Sequence, residues 1–331
     1  MDTSVDISGS QPQKGSSSFF RRRLWFLVAG AALGVAVVLT ALSVGDSSKA
    51  LPDWQAFILG ITQGLTEMLP ISSSGHLILV PWLGNWHYLE SNPAFNKTFD
   101  VALHAGTLLA VVVYFWSDLV VILRSWVRSL RRRKIETQNE RLAWLLLVAT
   151  IPAALGGAAG ESFIEKRLGQ PWQIGIGLAI LGVALWLADR RPQERAMSTL
   201  RYRDALALGL AQMLSLVPGV SRAGVTITGG RLFKLNRDAA ARFSFLMLVP
   251  VVLGAVVLKT FRDIIGQGLP AGWAGPFAVG MLAAAGSGFL AIWALLGYLR
   301  RHDYSLFVIY RLMVAVGIFI IIVSGARGAR F

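Results

Sequence analysis

The chain has 331 residues, of which 54% are hydrophobic and only 15% charged, and its mean hydropathy is +0.57. Soluble domains carry about 25% charged residues, so this composition indicates an integral membrane protein. The net charge of +14 does not indicate nucleic-acid binding, because the basic residues lie in short runs between apolar spans, and the absence of cysteine excludes disulfides, thiolate chemistry and Cys-based metal sites.

Residues 1–20, rich in Ser, Gln and Gly, read as a disordered tail. Arg21 to Arg23 precede an uncharged run, Leu24 to Val44, that is long enough to span a bilayer. Its length favours a retained anchor, assigned to 21–52, over a cleaved signal peptide. Further spans are predicted at 98–123, 141–160, 172–188, 243–260, 275–298 and 306–324. Trp82, Trp116, Trp172 and Trp186 fall near their ends, as interfacial anchors should.

Two polar islands interrupt this pattern. The first, Leu59 to Leu77, reads LGITQGLTEMLPISSSGHL, and the second, Leu208 to Thr226, reads LGLAQMLSLVPGVSRAGVT. Gly60 and Gly209, Gln63 and Gln212, Ser72 and Ser221, and Gly75 and Gly224 pair at one constant offset. Broken helices survive at membrane depth only when buried in protein or lining a polar cavity. Basic runs at 124–134, 190–203 and 300–301 are expected on the cytoplasmic side. Threading the chain through them makes each island a re-entrant hairpin, over 54–84 and 204–233. Each half, 53–189 and 190–331, then holds one hairpin and three spans. That odd number of crossings turns the second copy upside down, and the functional site is expected where the broken helices meet.

The islands also carry the chemistry. Gln63 and Glu67 share a helical face, and a carboxylate at membrane depth costs about 2.5–3.5 kcal/mol, so it needs a partner or a cavity. Pro70 to His76 then breaks one helix and starts another, an arrangement that presents backbone N–H groups to an anion. Ser72 and Ser74 suit N-caps as well as phosphate donors. In the second island Arg222 has the planar fork that fits phosphate, with Ser221 and Thr226 as hydrogen-bond donors. Asp100 and His104 share a face and are weaker candidates, either for the periphery of the site or simply as an i,i+4 pair. Glu161 and Glu165 are expected in a solvated loop.

The strings QGLTEMLPISSSGHL and VPGVSRAGVTITGG resemble the two signature segments of the undecaprenyl-diphosphatase family of the bacitracin-resistance type. TFDVALHAGTLLAVVVYFW and FSFLMLVPVVLGA resemble its intervening helices, and the likeness runs from about Asp53 to Ile322. The resemblance implies a bacterial inner-membrane phosphatase that converts undecaprenyl diphosphate to undecaprenyl phosphate, recycling the peptidoglycan lipid carrier and conferring bacitracin resistance. It implies a divalent cation, Mg2+ or Ca2+, and a pocket on the outer face. By position its catalytic residues fall on Glu67, Ser73, His76 and Arg222, its phosphate contacts on Ser72, Ser221, Arg222 and Thr226, and its metal ligands on Glu67 and Gln63. Two departures stand out: Gln63 where many members have Glu, and Ala223 where many have Ser. Spacing leaves Ser73, His76 and a water activated by Glu67 open as nucleophile. The sequence therefore reads as an all-α polytopic phosphatase with membrane lipids as neighbours, no nucleic-acid partner and a homodimer left open. A flippase or transporter built on the same inverted-repeat pocket is the alternative, and a non-catalytic membrane scaffold a third reading.

Overall fold

Leu69 precedes Pro70, and Gly219 stands between Pro218 and a serine; at these two places the chain cannot continue a helix, and both breaks are present in the structure. Leu69 is extended (φ −82°, ψ 146°), as a residue before proline must be, and Gly219 takes a left-handed φ of 94°. The computed structural model describes residues 51–86, 93–261 and 272–329. The expected tail and nearly all of the 21–52 anchor lie outside the described residues.

The described chain is all-helical. Hairpin helices α1 (Asp53–Met68) and α2 (Ser73–Gly84) are followed by α3 (Pro93–Tyr114), α4 (Trp116–Arg132), α5 (Gln138–Arg167) and α6 (Pro171–Asp189). A second hairpin, α7 (Tyr202–Leu214) and α8 (Arg222–Leu232), leads to α9 (Arg237–Lys259), α10 (Ala274–Tyr298) and α11 (Ser305–Val323). Helices α5, α6, α9, α10 and α11 are long and apolar enough to cross a membrane, and the bent pair α3–α4 supplies a sixth candidate. The chain is a multi-pass membrane protein. Helix α6 illustrates the pattern: Ile174, Leu178 and Leu185 face the interior, while Ile176, Ile180, Val183 and Leu187 are exposed on the side left for lipid.

Three expectations need correction. The span placed at 98–123 is not continuous: α3 stops at Tyr114 and α4 sets off at 85° to it. Helix α4 carries Asp118, Arg124, Arg128, Arg131 and Arg132, too many charges to stay in hydrocarbon, and it buries only one face, with Ile122, Ser125 and Ser129. The loop assigned to Glu161 and Glu165 is the end of α5, which continues to Arg167. Trp82 belongs to an interior cluster with Ile174 and Leu178, whereas Trp116 and Trp186 are exposed as anchors require.

Close packing places the hairpins. In lipid, helices associate through small residues that let backbones approach. A Cβ added at Gly60 would lie 2.3 Å from the carbonyl oxygen of Gly280, so α1 rests directly on α10. Gly209, its partner in the second island, meets the carbonyl of Ala149 in α5 at 2.5 Å in the same way. Each hairpin is thus clamped to a different spanning helix through the same glycine of the repeat.

Candidate active site

The two breaks share one backbone geometry. Ser72 and Ser221 have φ values of 78° and 72°, a region that residues with a side chain seldom occupy. Each caps the helix that follows: Ser72 Oγ accepts from the Gly75 N–H at 3.4 Å, and Ser221 Oγ from the Gly224 N–H at 3.0 Å. Strained non-glycine residues of this kind collect at functional sites, where the surroundings over-determine them. Both serines are buried, and capping is the work their oxygens do here.

Between the breaks lies Glu67, at the C-terminal end of α1. Its carboxylate is surrounded by donors from both hairpins. Arg222 Nε donates to Oε1 at 3.0 Å, Ser73 Oγ donates to Oε2 at 2.5 Å, and Gln63 Nε2 donates to Oε2 at 3.3 Å. His104 Nε2 stands 3.7 Å from Oε2, while its Nδ1 donates to the Asp100 carbonyl at 2.7 Å. His104 thus lies at the edge of the Glu67 cluster while also bonding one turn back along its own helix. A carboxylate that is only 5% exposed is held at depth by a guanidinium and by hydrogen bonds, as buried charge requires.

Arg222 has a divided role. Its Nη1 donates to the Ser244 carbonyl at 2.8 Å, but its buried Nη2 has no hydrogen-bond partner among the described residues. Gln63 Oε1 is buried without a partner in the same sense. Unsatisfied buried polar atoms are rare, and each calls for a reason. Here they are one spare donor and one spare acceptor, flanking the same carboxylate. Thr226, expected on the phosphate, instead directs its hydroxyl to the Arg222 carbonyl at 2.7 Å and shares a 2.7 Å hydrogen bond with Ser244 Oγ. In this arrangement it fixes the first turn of α8 and, through Ser244, the seat of Arg222.

His76 sits in the first turn of α2. Its Nδ1 lies 2.7 Å from the Ser72 carbonyl, which can only accept, so Nδ1 carries a proton. Nε2 lies 2.8 Å from the Tyr310 hydroxyl, and the two rings stack with centroids 5.7 Å apart. The structure thus brings together Glu67, Ser73, Gln63 and Arg222, and holds His76 beside them against α11. No group of three His, Asp or Glu side chains among the described residues is arranged to hold a metal ion.

Comparison with known proteins decides the family. Residues 56–317 match the family model described as bacitracin resistance protein BacA. An undecaprenyl-diphosphatase from Pelobacter propionicus is 43% identical over 275 residues, covering 82% of this chain and 98% of that one. Those of Thermomicrobium roseum and Moorella thermoacetica are 42% and 44% identical, covering 83% and 79% of this chain and 99% and 94% of theirs. The chain belongs to the BacA family.

Within this BacA-family site, three residues escaped the sequence reading. Ser244 seats Arg222, and nothing in its apolar setting on α9 marks it. Tyr310 is likewise unmarked, but Arg311 is legible as a lone charge inside the apolar run of α11, the same signal that exposes Glu67. Its fully buried guanidinium has no carboxylate partner among the described residues. It donates instead to the carbonyls of Leu178 at 3.0 Å, Pro70 at 3.0 Å, Gly177 at 3.3 Å, Gly219 at 3.2 Å and Val220 at 3.3 Å. Pro70 belongs to the first break, and Gly219 and Val220 to the second. Arg311 therefore ties the two tips to each other and to α6.

Proposed function

We propose that the chain hydrolyses undecaprenyl diphosphate to undecaprenyl phosphate and inorganic phosphate at the junction of the two hairpins. The observation that carries this reading is the buried, unpartnered Nη2 of Arg222 beside a serine hydroxyl already bonded to a carboxylate. A terminal phosphate set against Arg222 would satisfy Nη2 and bring phosphorus within reach of Ser73. The resemblance of the two islands supports an inverted repeat, with halves at 53–189 and 190–331. The resemblance to the undecaprenyl-diphosphatase family implies a site on the outer side of the bacterial inner membrane.

Ser73 Oγ attacks the terminal phosphorus, and its proton passes to Glu67 Oε2, its present hydrogen-bond acceptor. The bond to the bridging oxygen breaks while Arg222 balances the charge that collects there. The proton leaves with undecaprenyl phosphate. A water molecule then attacks the phosphoserine, Glu67 relays one of its protons back to Ser73 Oγ, and inorganic phosphate departs. His76 does not serve as the nucleophile in this scheme, because its Nε2 lone pair accepts the Tyr310 hydroxyl. It positions the first turn of α2 from which Ser73 projects.

A divalent cation fits in a limited sense. Mg2+ commonly takes one or two protein oxygens and completes its shell with phosphate and water. Glu67 and the unpartnered Gln63 Oε1 are the two oxygens that would hold it, and the ion would neutralise diphosphate charge. A cavity of about 260 Å³ on α3, the helix that carries His104, would take part of the polyprenyl chain; Val101, Ala105, Val256, Phe277 and Met281 line it, with Lys259 also on its wall.

Phosphate release from undecaprenyl diphosphate by the purified chain in detergent, with Mg2+ or Ca2+ supplied, tests the proposal. Turnover is expected. No release from a folded preparation would remove the phosphatase reading and leave a flippase as the alternative.

A further inference from the structure

A cluster of arginines lies away from the junction of the hairpins. Helix α8 begins at Arg222 and carries Arg231 in its last turn, roughly 13 Å further along its axis at 1.5 Å per residue. There the buried carboxylate of Asp189 accepts from two guanidiniums, Arg231 Nε at 3.0 Å and Arg237 Nε at 2.9 Å. The backbone N–H of Tyr304 also donates to it, at 3.0 Å. Arg231 spends its remaining donors on the carbonyls of Asp189, Leu235 and Arg191. This network joins α6, α8, α9 and α11, and it sets one carboxylate against two cations.

A cavity of about 460 Å³ opens over this network. That is within the range of roughly 300–1,000 Å³ typical of small-ligand sites. Arg190, Arg191, Arg237, Trp186, Asp303 and Ser305 line it. Neither Arg190 nor Arg191 forms an ion pair among the described residues. Arg190 is not loose, however: its guanidinium lies 3.5 Å from the centroid of the Trp186 ring, which holds the fork flat at the rim. Among the lining residues are four arginines and two aspartates, so the cavity carries a surplus of two positive charges. Trp186 is exposed on the lipid-facing side of α6, next to the cavity mouth. A basic cavity at the ends of membrane helices, beside an interfacial tryptophan, has the chemistry that receives a phosphate headgroup.

We propose that the ends of α6, α9 and α11 form a second anion site, distinct from the hydrolytic one, that binds the phosphate of an anionic lipid headgroup or a free phosphate ion. Arg190 and Arg191 supply the contacts, Arg237 the charge beneath them, and Asp303 opposes binding.

The test is native mass spectrometry of the full chain in detergent, titrated with phosphatidylglycerol or phosphatidylcholine, with and without inorganic phosphate. Wild type is expected to hold phosphatidylglycerol about tenfold more tightly than phosphatidylcholine, or to bind inorganic phosphate. The Arg190→Ala/Arg191→Ala double variant should lose that preference while releasing phosphate from undecaprenyl diphosphate at the wild-type rate. Asp303→Asn should tighten binding about threefold. Phosphatidylglycerol that survives millimolar phosphate identifies a lipid site. Displacement by phosphate, or phosphate bound with no preference among lipids, identifies a site for the free ion. A double variant that keeps the wild-type preference overturns the proposal. So does a wild type that favours neither phosphatidylglycerol nor phosphate over phosphatidylcholine.

Discussion

The two hairpins are alike where they build and different where they act. Ser72 and Ser221 adopt the same left-handed backbone and cap the same turn, and Gly60 and Gly209 make the same close approach to a neighbouring helix. In register, Glu67 stands opposite Leu216, and Ser73 opposite Arg222. One copy thus provides the carboxylate and the hydroxyl, and the other the guanidinium that pairs with that carboxylate. The glutamines record the same divergence. Gln63 donates to Glu67, whereas Gln212, beside Leu216, is buried with neither amide atom hydrogen-bonded among the described residues. A repeated frame thus becomes a site only where its symmetry is lost.

The sharpest way to break this comparison is to take the guanidinium from the second hairpin. Arg222→Ala should lower phosphate release about 10³-fold, the upper end of what one lost charge-stabilising donor costs. Arg222→Lys should recover little of it, because an ammonium cannot span Glu67 and a phosphate as the fork does. A lysine variant near wild type would mean that only charge matters there.

The glutamines give the next largest contrast. Gln63→Leu removes a donor to Glu67 and the spare acceptor, and activity should fall at least about tenfold, the usual scale for groups supporting a ligand set. Gln212→Leu removes a buried amide with no partner among the described residues and should leave activity and melting temperature unchanged or raised. Equal losses in the two variants would show that the copies are not functionally divided.

Tyr310→Phe keeps the stacked ring and deletes the hydroxyl on His76 Nε2. A neutral hydrogen bond is worth about 1 kcal/mol, so a loss of about fivefold in kcat with little change in KM is expected. The smallest effect should come from the shared frame. Ser72→Ala and Ser221→Ala each delete one N-cap, at about 1 kcal/mol of stability, and thermal unfolding should report similar shifts for both.

Much of this was legible in the sequence. Pro70, Pro218 and Gly219 mark the breaks directly, and a carboxylate and an arginine inside apolar runs mark the chemistry, because hydrocarbon makes such residues costly. The bend at Phe115 was less legible. Helix α4 follows α3 without Pro or Gly, and only its pattern of arginines shows that it leaves the spanning direction. Arg311 obeys the rule that reveals Glu67, but it lies far along the chain from both islands, so only the fold shows that it meets them. Ser244 could not be read at all, since its value depends on which helix packs over Arg222.

The division of labour between the hairpins is tested most directly by rapid-quench trapping with undecaprenyl diphosphate labelled in its terminal phosphate. Label on Ser73 within the first turnover, absent from Ser73→Ala and scarce in Arg222→Ala, is the expected result. Label on His76, or hydrolysis at the wild-type rate by Ser73→Ala, would contradict it.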